Sequence, residues 1–136
     1  DKHWSRGLGD VYKRQVSVPA DKISSKKLTK KIAALAFDKK ADRVVSVDLS
    51  GITSIADHFV ICSEDTDIQT KAIADNIRKN TPSKPLRIEG YEKMNWIILD
   101  YVDVVAHIFK TFEREYYNLE KLWGDAKITT YEENVS

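Results

Sequence analysis

Apolar residues at Leu28, Ile32, Leu35 and Ala36 recur at i, i+4, i+7 and i+8. One helical face therefore runs through residues 25–40, with Lys26, Lys27, Lys30 and Lys31 turned largely outward. The period then changes. Val44, Val45 and Val47 give a β-branched strand over 43–48, closed by the turn formers Asp48, Ser50 and Gly51. A short helical turn is expected near 54–57. The nearly unbroken apolar run 58–63 reads as a strand buried on both faces, central in a layered sheet. Thr66 and Gln69 fit a capping box opening a helix that runs to about 80, with Ile68, Ala72, Ile73 and Ile77 toward one side. Pro82 and Pro85 end it. Further strands are expected at 86–89, 96–101 and 104–109, the last two as a hairpin joined near 100–103. A final helix spans 113–123, and signals beyond Gly124 are weak. The order α β β α β β β α predicts an α/β or α+β sandwich: a mixed sheet of about five strands flanked by helices.

At 136 residues with 42% hydrophobic content, the chain builds one core. Its apolar runs are strand-length, far short of the ~20 residues a membrane span needs. The single cysteine, Cys62, allows no intrachain disulfide and fits a reducing, cytoplasmic setting. The leader, residues 1–22, lacks periodicity and an apolar signal-peptide region. Asp1, Asp10 and Asp21 argue against a mitochondrial presequence. Its part around residues 4–15 is expected to be non-native. The domain is set at 23–126 and a tail at 127–136.

The net charge of +1 conceals an asymmetry. Up to Lys31 there are nine basic and three acidic residues; the rest carries 13 basic and 18 acidic ones. Nucleic-acid binders concentrate positive charge on the folded face that meets phosphate, so an acidic body points instead to a protein partner.

Candidate catalysis is sparse. Asp100 and Asp103 with His107 or His58 could suggest a metal site, but no ligand spacing supports it, and turn-forming acids explain the pair better. His107 alternates with Val105 and Phe109 and fits a half-buried or interface position better than a general base. Nothing near Cys62 would activate its thiol. Walker and GxGxxG loops are absent from the sequence.

The aromatic content toward the carboxyl end is what stands out. Trp96, Tyr101, Phe109, Phe112, Tyr116, Tyr117 and Trp123 lie among Leu99, Leu119 and Leu122. The last helix carries apolar residues around more than one face, whereas docking on a sheet needs one stripe. The surplus either fills a small core or meets the tail, a second copy or a partner. Trp, Tyr and Arg are enriched at interface hot spots, and Arg114 sits among these rings.

The same residues carry a resemblance. Ser54-Ile55-Ala56-Asp57-His58-Phe59-Val60-Ile61-Cys62-Ser63, then Ile88-Glu89-Gly90, then Trp96-Ile97-Ile98-Leu99-Asp100-Tyr101 follow in order. Asp103-Val104-Val105-Ala106-His107-Ile108-Phe109 and the stretch from Arg114 through Trp123 to Ala126 complete the set. Together they resemble the ribosomal silencing factor (RsfS/Iojap) family.

The resemblance implies a nucleotidyltransferase-like fold without catalytic residues, no cofactor, a homodimer, and binding to large-subunit ribosomal protein fourteen. A factor bound there blocks subunit joining and represses translation under nutrient limitation. By position, Trp96, Leu99, Asp100, Tyr101, His107, Phe109, Arg114, Tyr117, Leu119 and Trp123 are the partner-binding candidates. Trp96 and Arg114 are the expected exposed anchors, and Asp100, Glu113 and Glu120 are expected to favour basic surroundings.

The chain departs from the family pattern at Glu64, Ile68 and Val102. Val102 replaces a common Gly, so the hairpin is expected to use another turn type. Two rivals remain: a degenerate or cryptic nucleotidyltransferase needing a Mg²⁺ carboxylate pair, and an RNA-binding ribosome-assembly factor acting through the basic leader.

Overall fold

The computed structural model describes residues 24–132, so the leader expected at 1–22 lies outside the described residues. Ten elements follow in order: α1 (Ser25–Asp38), β1 (Asp42–Asp48), β2 (His58–Glu64), α2 (Asp67–Asn80), β3 (Arg87–Glu89), β4 (Trp96–Asp100), β5 (Val104–Lys110), α3 (Thr111–Tyr117), α4 (Leu119–Leu122) and β6 (Lys127–Thr130). The strands form one six-stranded mixed sheet in the order β3-β4-β5-β2-β1-β6. Only β2 and β5 run parallel; every other neighbouring pair is antiparallel. The apolar run at 58–63 is central as its pattern predicts, and every residue from His58 to Ser63 is buried.

Alternation along the strands gives the sheet two apolar faces. One packs Val44, Val60, Cys62, Ile97, Leu99 and Ile108 under Ile32 and Ala36 of α1 and Ile73 and Ile77 of α2. The Asn76 amide donates to the Leu35 carbonyl at 2.8 Å and ties the two helices together. Among the described residues, the second face, with Val45, Val47, Phe59, Ile61, Val105 and Phe109, is covered by the short α3–α4 pair, the chain after it, and Leu49 and Ala56 of the β1–β2 loop.

The sheet of about five strands gains one more, and three local expectations are corrected. The sheet has six strands, because Lys127–Thr130 pairs antiparallel with β1; its residues are all exposed, so no alternating pattern marks it. The final helix is two helices. Asn118 takes the left-handed conformation (φ 47°), ends α3, and caps α4 by accepting from the Lys121 amide. Residues 54–57 form bends and no helical turn. Finally, the capping box is one-sided. Thr66 Oγ1 accepts from the Gln69 amide at 3.1 Å, but the Gln69 side-chain oxygen accepts from the Thr66 hydroxyl and leaves the cap amide alone.

Turn geometry explains the motif Ile88-Glu89-Gly90. Gly90 has φ +94°, and a Cβ there would lie 2.0 Å from the Trp96 carbonyl oxygen. Only glycine lets the chain leave β3 so close to the start of β4. The opposite holds at Val102, which keeps a glycine-like φ of 77° despite its branched side chain. The hairpin therefore retains the positive-φ geometry and strains the valine, contrary to the expected change of turn type.

Candidate partner-binding face

The second sheet face ends in a connected set of rings. Trp96, at the head of β4, stacks on Phe109 of β5 at 4.8 Å and meets Tyr117 of α3 at 4.8 Å. Its indole Nε1 donates to His107 Nδ1 at 3.0 Å. Phe59 of β2 sets its edge against His107 at 4.4 Å and reaches Trp123 at 6.3 Å. Register brings these side chains together: Trp96 opposes Phe109 and Ile98 opposes His107, while Ile61 opposes His107 from the parallel side. Cross-strand and diagonal neighbours on one face are within reach of aromatic side chains.

Outside this layer lies a second set, which the sequence placed among the aromatic surplus but not among the candidates. Phe112, Tyr116 and Leu122 are 72%, 71% and 69% exposed; beside them Tyr117, which is one of the candidates, is 48% exposed. Phe112 and Tyr116, one helical turn apart, stack at 6.2 Å on the outer side of α3. Their i, i+4 spacing was the signal available in the sequence. Ridge and buried layer join at Tyr117, which meets Tyr116 edge-on at 5.0 Å.

The ten candidates divide. Trp96 and Trp123 are half-buried and Tyr117 exposed, all on this face. Phe109, His107 and Leu119 are buried beneath them and act as support. Leu99 and Tyr101 belong to the other face: Leu99 is fully buried under the helices, and the Tyr101 hydroxyl bonds Thr81 at 2.9 Å. Asp100 is buried, and its carboxylate accepts from the Val102 amide at 2.8 Å, fixing the hairpin turn.

Arg114 is not an exposed anchor; it is 3% exposed. Its guanidinium meets the Glu120 carboxylate at 2.6 Å and the Ser63 hydroxyl at 3.1 Å, and also donates to the carbonyls of Asp42 and Arg43. Those carbonyls sit where the β1–β2 register shifts and Arg43 takes φ 49°. A planar, multi-donor fork satisfies acceptors that the irregular ladder leaves open. The acidic rim is correspondingly reduced, since Glu120 is paired with Arg114 and Glu115 with Arg43 at 2.9 Å.

The buried reactive groups are quiet. Burial pushes the Cys62 thiol up to about 12 and drives His107 down from 6.5 to about 3. Thus Cys62 is a thiol and His107 a neutral imidazole at physiological pH. Among the described residues, no group of three or more His, Cys, Asp or Glu side chains could hold a metal ion. None of the described helices is long and apolar enough to cross a membrane.

Known proteins similar to this chain in sequence carry one family name, and solved structures share its fold. The family described as "Ribosomal silencing factor during starvation" matches residues 22–136. A ribosomal silencing factor RsfS of Halalkalibacterium halodurans is 45% identical over 102 residues, which cover 73% of this chain and 87% of that protein. The Bacillus subtilis RsfS is 39% identical over 109 residues, 78% of this chain and 92% of the relative. A crystal structure of a Chromobacterium violaceum protein superposes with a TM-score of 0.72 at 28% identity, covering 75% of this chain and 88% of that one. With the mixed six-stranded sheet and aromatic face in place, the chain belongs to the ribosomal silencing factor RsfS/Iojap family.

Proposed function

We propose that this protein silences translation by occupying a surface of the large ribosomal subunit, at its ribosomal protein fourteen, and so preventing the subunits from joining when nutrients are scarce. It acts in the cytoplasm as a steric block rather than as a catalyst, and it self-associates as a homodimer. The observation that carries this is the exposed ridge Phe112, Tyr116, Tyr117 and Leu122 beside half-buried Trp96 and Trp123. Large apolar rings clustered on a surface, rimmed by charge, match the core of a protein interface better than a solvated one. The outer members are the contact residues; His107, Phe109 and Arg114 hold them in place.

The test is co-sedimentation with purified large subunits. Tyr116→Ala and Leu122→Ala remove exposed side chains only, so the variants should keep the wild-type circular dichroism. Each should weaken binding by about 1–2 kcal/mol, a five- to thirty-fold loss. Undiminished binding of both folded variants would remove this face from the contact. Trp96→Ala is a poorer probe, because it also strips a ring from Phe109 and a donor from His107.

A further inference from the structure

We propose a second site, separate from the partner-binding face and on the opposite side of the sheet, that takes the dianion of a phosphate monoester. There, a pocket of about 210 Å³ opens between the first turns of α1 and the β1–β6 pair. Register places its floor. Ser46 opposes Thr129, and Asp48 opposes Lys127 on one side and His58 on the other. Alternation sends these side chains to the α1 side, away from Val45, Val47 and Phe59.

The lining is cationic in a body whose charge beyond Lys31 is net negative. Lys26 and Lys30 reach it from α1 and Lys127 from β6. The one opposing carboxylate, Asp48, is engaged by Ser50: it accepts from the Ser50 amide at 3.0 Å and from the Ser50 hydroxyl as well. A surplus of two positive charges remains, and the positive end of α1, a 14-residue helix, adds to it.

Two ring-borne donors complete the pocket. His58 is only 8% exposed, lines the cavity, and makes no side-chain hydrogen bond among the described residues. The imidazole stands beside the Asp48 carboxylate, which it faces across the β1–β2 pair, and a ring N–H is a donor it can offer to a ligand in the cavity. Tyr131 also lines the cavity, and its hydroxyl oxygen accepts from Ser46 at 3.2 Å, which leaves its own proton to give. Ammonium, imidazole and phenol groups converging on one small space suit a compact oxyanion. Charge and size select a terminal phosphate, which carries close to two negative charges at neutral pH. A backbone diester has one charge and two substituents to route out.

The experiment is a ¹H–¹⁵N titration of the full chain at constant ionic strength with orthophosphate, with adenosine monophosphate, and with a short RNA lacking terminal phosphates; sodium chloride serves as the blank. Orthophosphate and the monophosphate should shift the amides of Ser46, His58 and Lys127 saturably. The Lys30→Ala/Lys127→Ala pair and, separately, His58→Phe should each weaken that binding about tenfold. Both variants should still co-sediment with large subunits, so this site and the aromatic face fail or stand independently. Shifts that match the chloride blank, shifts unaltered in both variants, or tighter binding of the unphosphorylated RNA than of the monophosphate would each overturn the assignment.

Discussion

Trp96 Nε1 donates to His107 Nδ1 at 3.0 Å across the antiparallel β4–β5 pair. This bond sets the imidazole tautomer: Nδ1 accepts, so the proton rests on Nε2. Nε2 is buried and meets no hydrogen-bond partner among the described residues. A second proton would place a charge in this apolar layer, and burial holds the group down at about 3.

A pH dependence follows. In the unfolded chain His107 titrates near 6.5, so below that pH the unfolded state binds a proton that the folded state refuses. The stability linked to neutral His107 is complete above pH 6.5 and is lost as pH falls toward 3. Between pH 7.5 and 4.5 that loss is about 2–3 kcal/mol. Urea unfolding at the two pH values should show His107→Gln less stable than wild type at pH 7.5, yet about 2 kcal/mol less sensitive to acid. Equal acid losses in both proteins would contradict the burial of an uncharged ring.

Arg114 is the tie between α3 and the irregular start of the β1–β2 pair. Arg114→Ala takes its donor from Glu120, Ser63 and the Arg43 carbonyl, leaves the Asp42 carbonyl only a 3.4 Å bond from the Ser63 hydroxyl, and should destabilise the fold by about 3–5 kcal/mol. Arg114→Lys keeps the charge but not the fork, and should recover less than half of that loss. Chemical denaturation measures both. A lysine variant as stable as wild type would mean that charge alone suffices.

Val102 carries strain that a glycine would release. A non-glycine residue at positive φ costs about 1–3 kcal/mol, and part of the gain is offset because glycine loosens the unfolded chain. Val102→Gly should raise stability by about 1 kcal/mol and the melting temperature by roughly 4 °C. Val102→Ile, equally branched, should give no gain. A lower melting point for the glycine variant would show that valine's contacts outweigh its backbone.

Gly90 admits no side chain. Gly90→Ala forces a methyl group into the Trp96 carbonyl and should cost more than about 2 kcal/mol or displace β4. Near-ultraviolet circular dichroism reports on the packed aromatic rings, Trp96 among the chain's three tryptophans. An unchanged spectrum with unchanged stability would show that the β3–β4 turn can open without disturbing the face.

The chain's own periodicity determined both long helices, the buried centre of the sheet at 58–63 and the β4–β5 hairpin, because each is written in residues spaced a few positions apart. The family motifs were equally local and equally legible. Side-chain roles were not. Arg114 and Tyr117 stand three positions apart on one helix, yet one is sealed against a bulge 71 residues earlier in the chain and the other faces solvent. Leu99 and Trp96 share a strand but occupy opposite faces, so only sheet register and the placement of two short helices could decide which ring is support and which is surface. Strand β6 escaped notice for a related reason. Its residues gain their order from pairing with β1 and bury nothing that a pattern could record. Short-range patterns encode elements; long-range packing alone sorts core from contact.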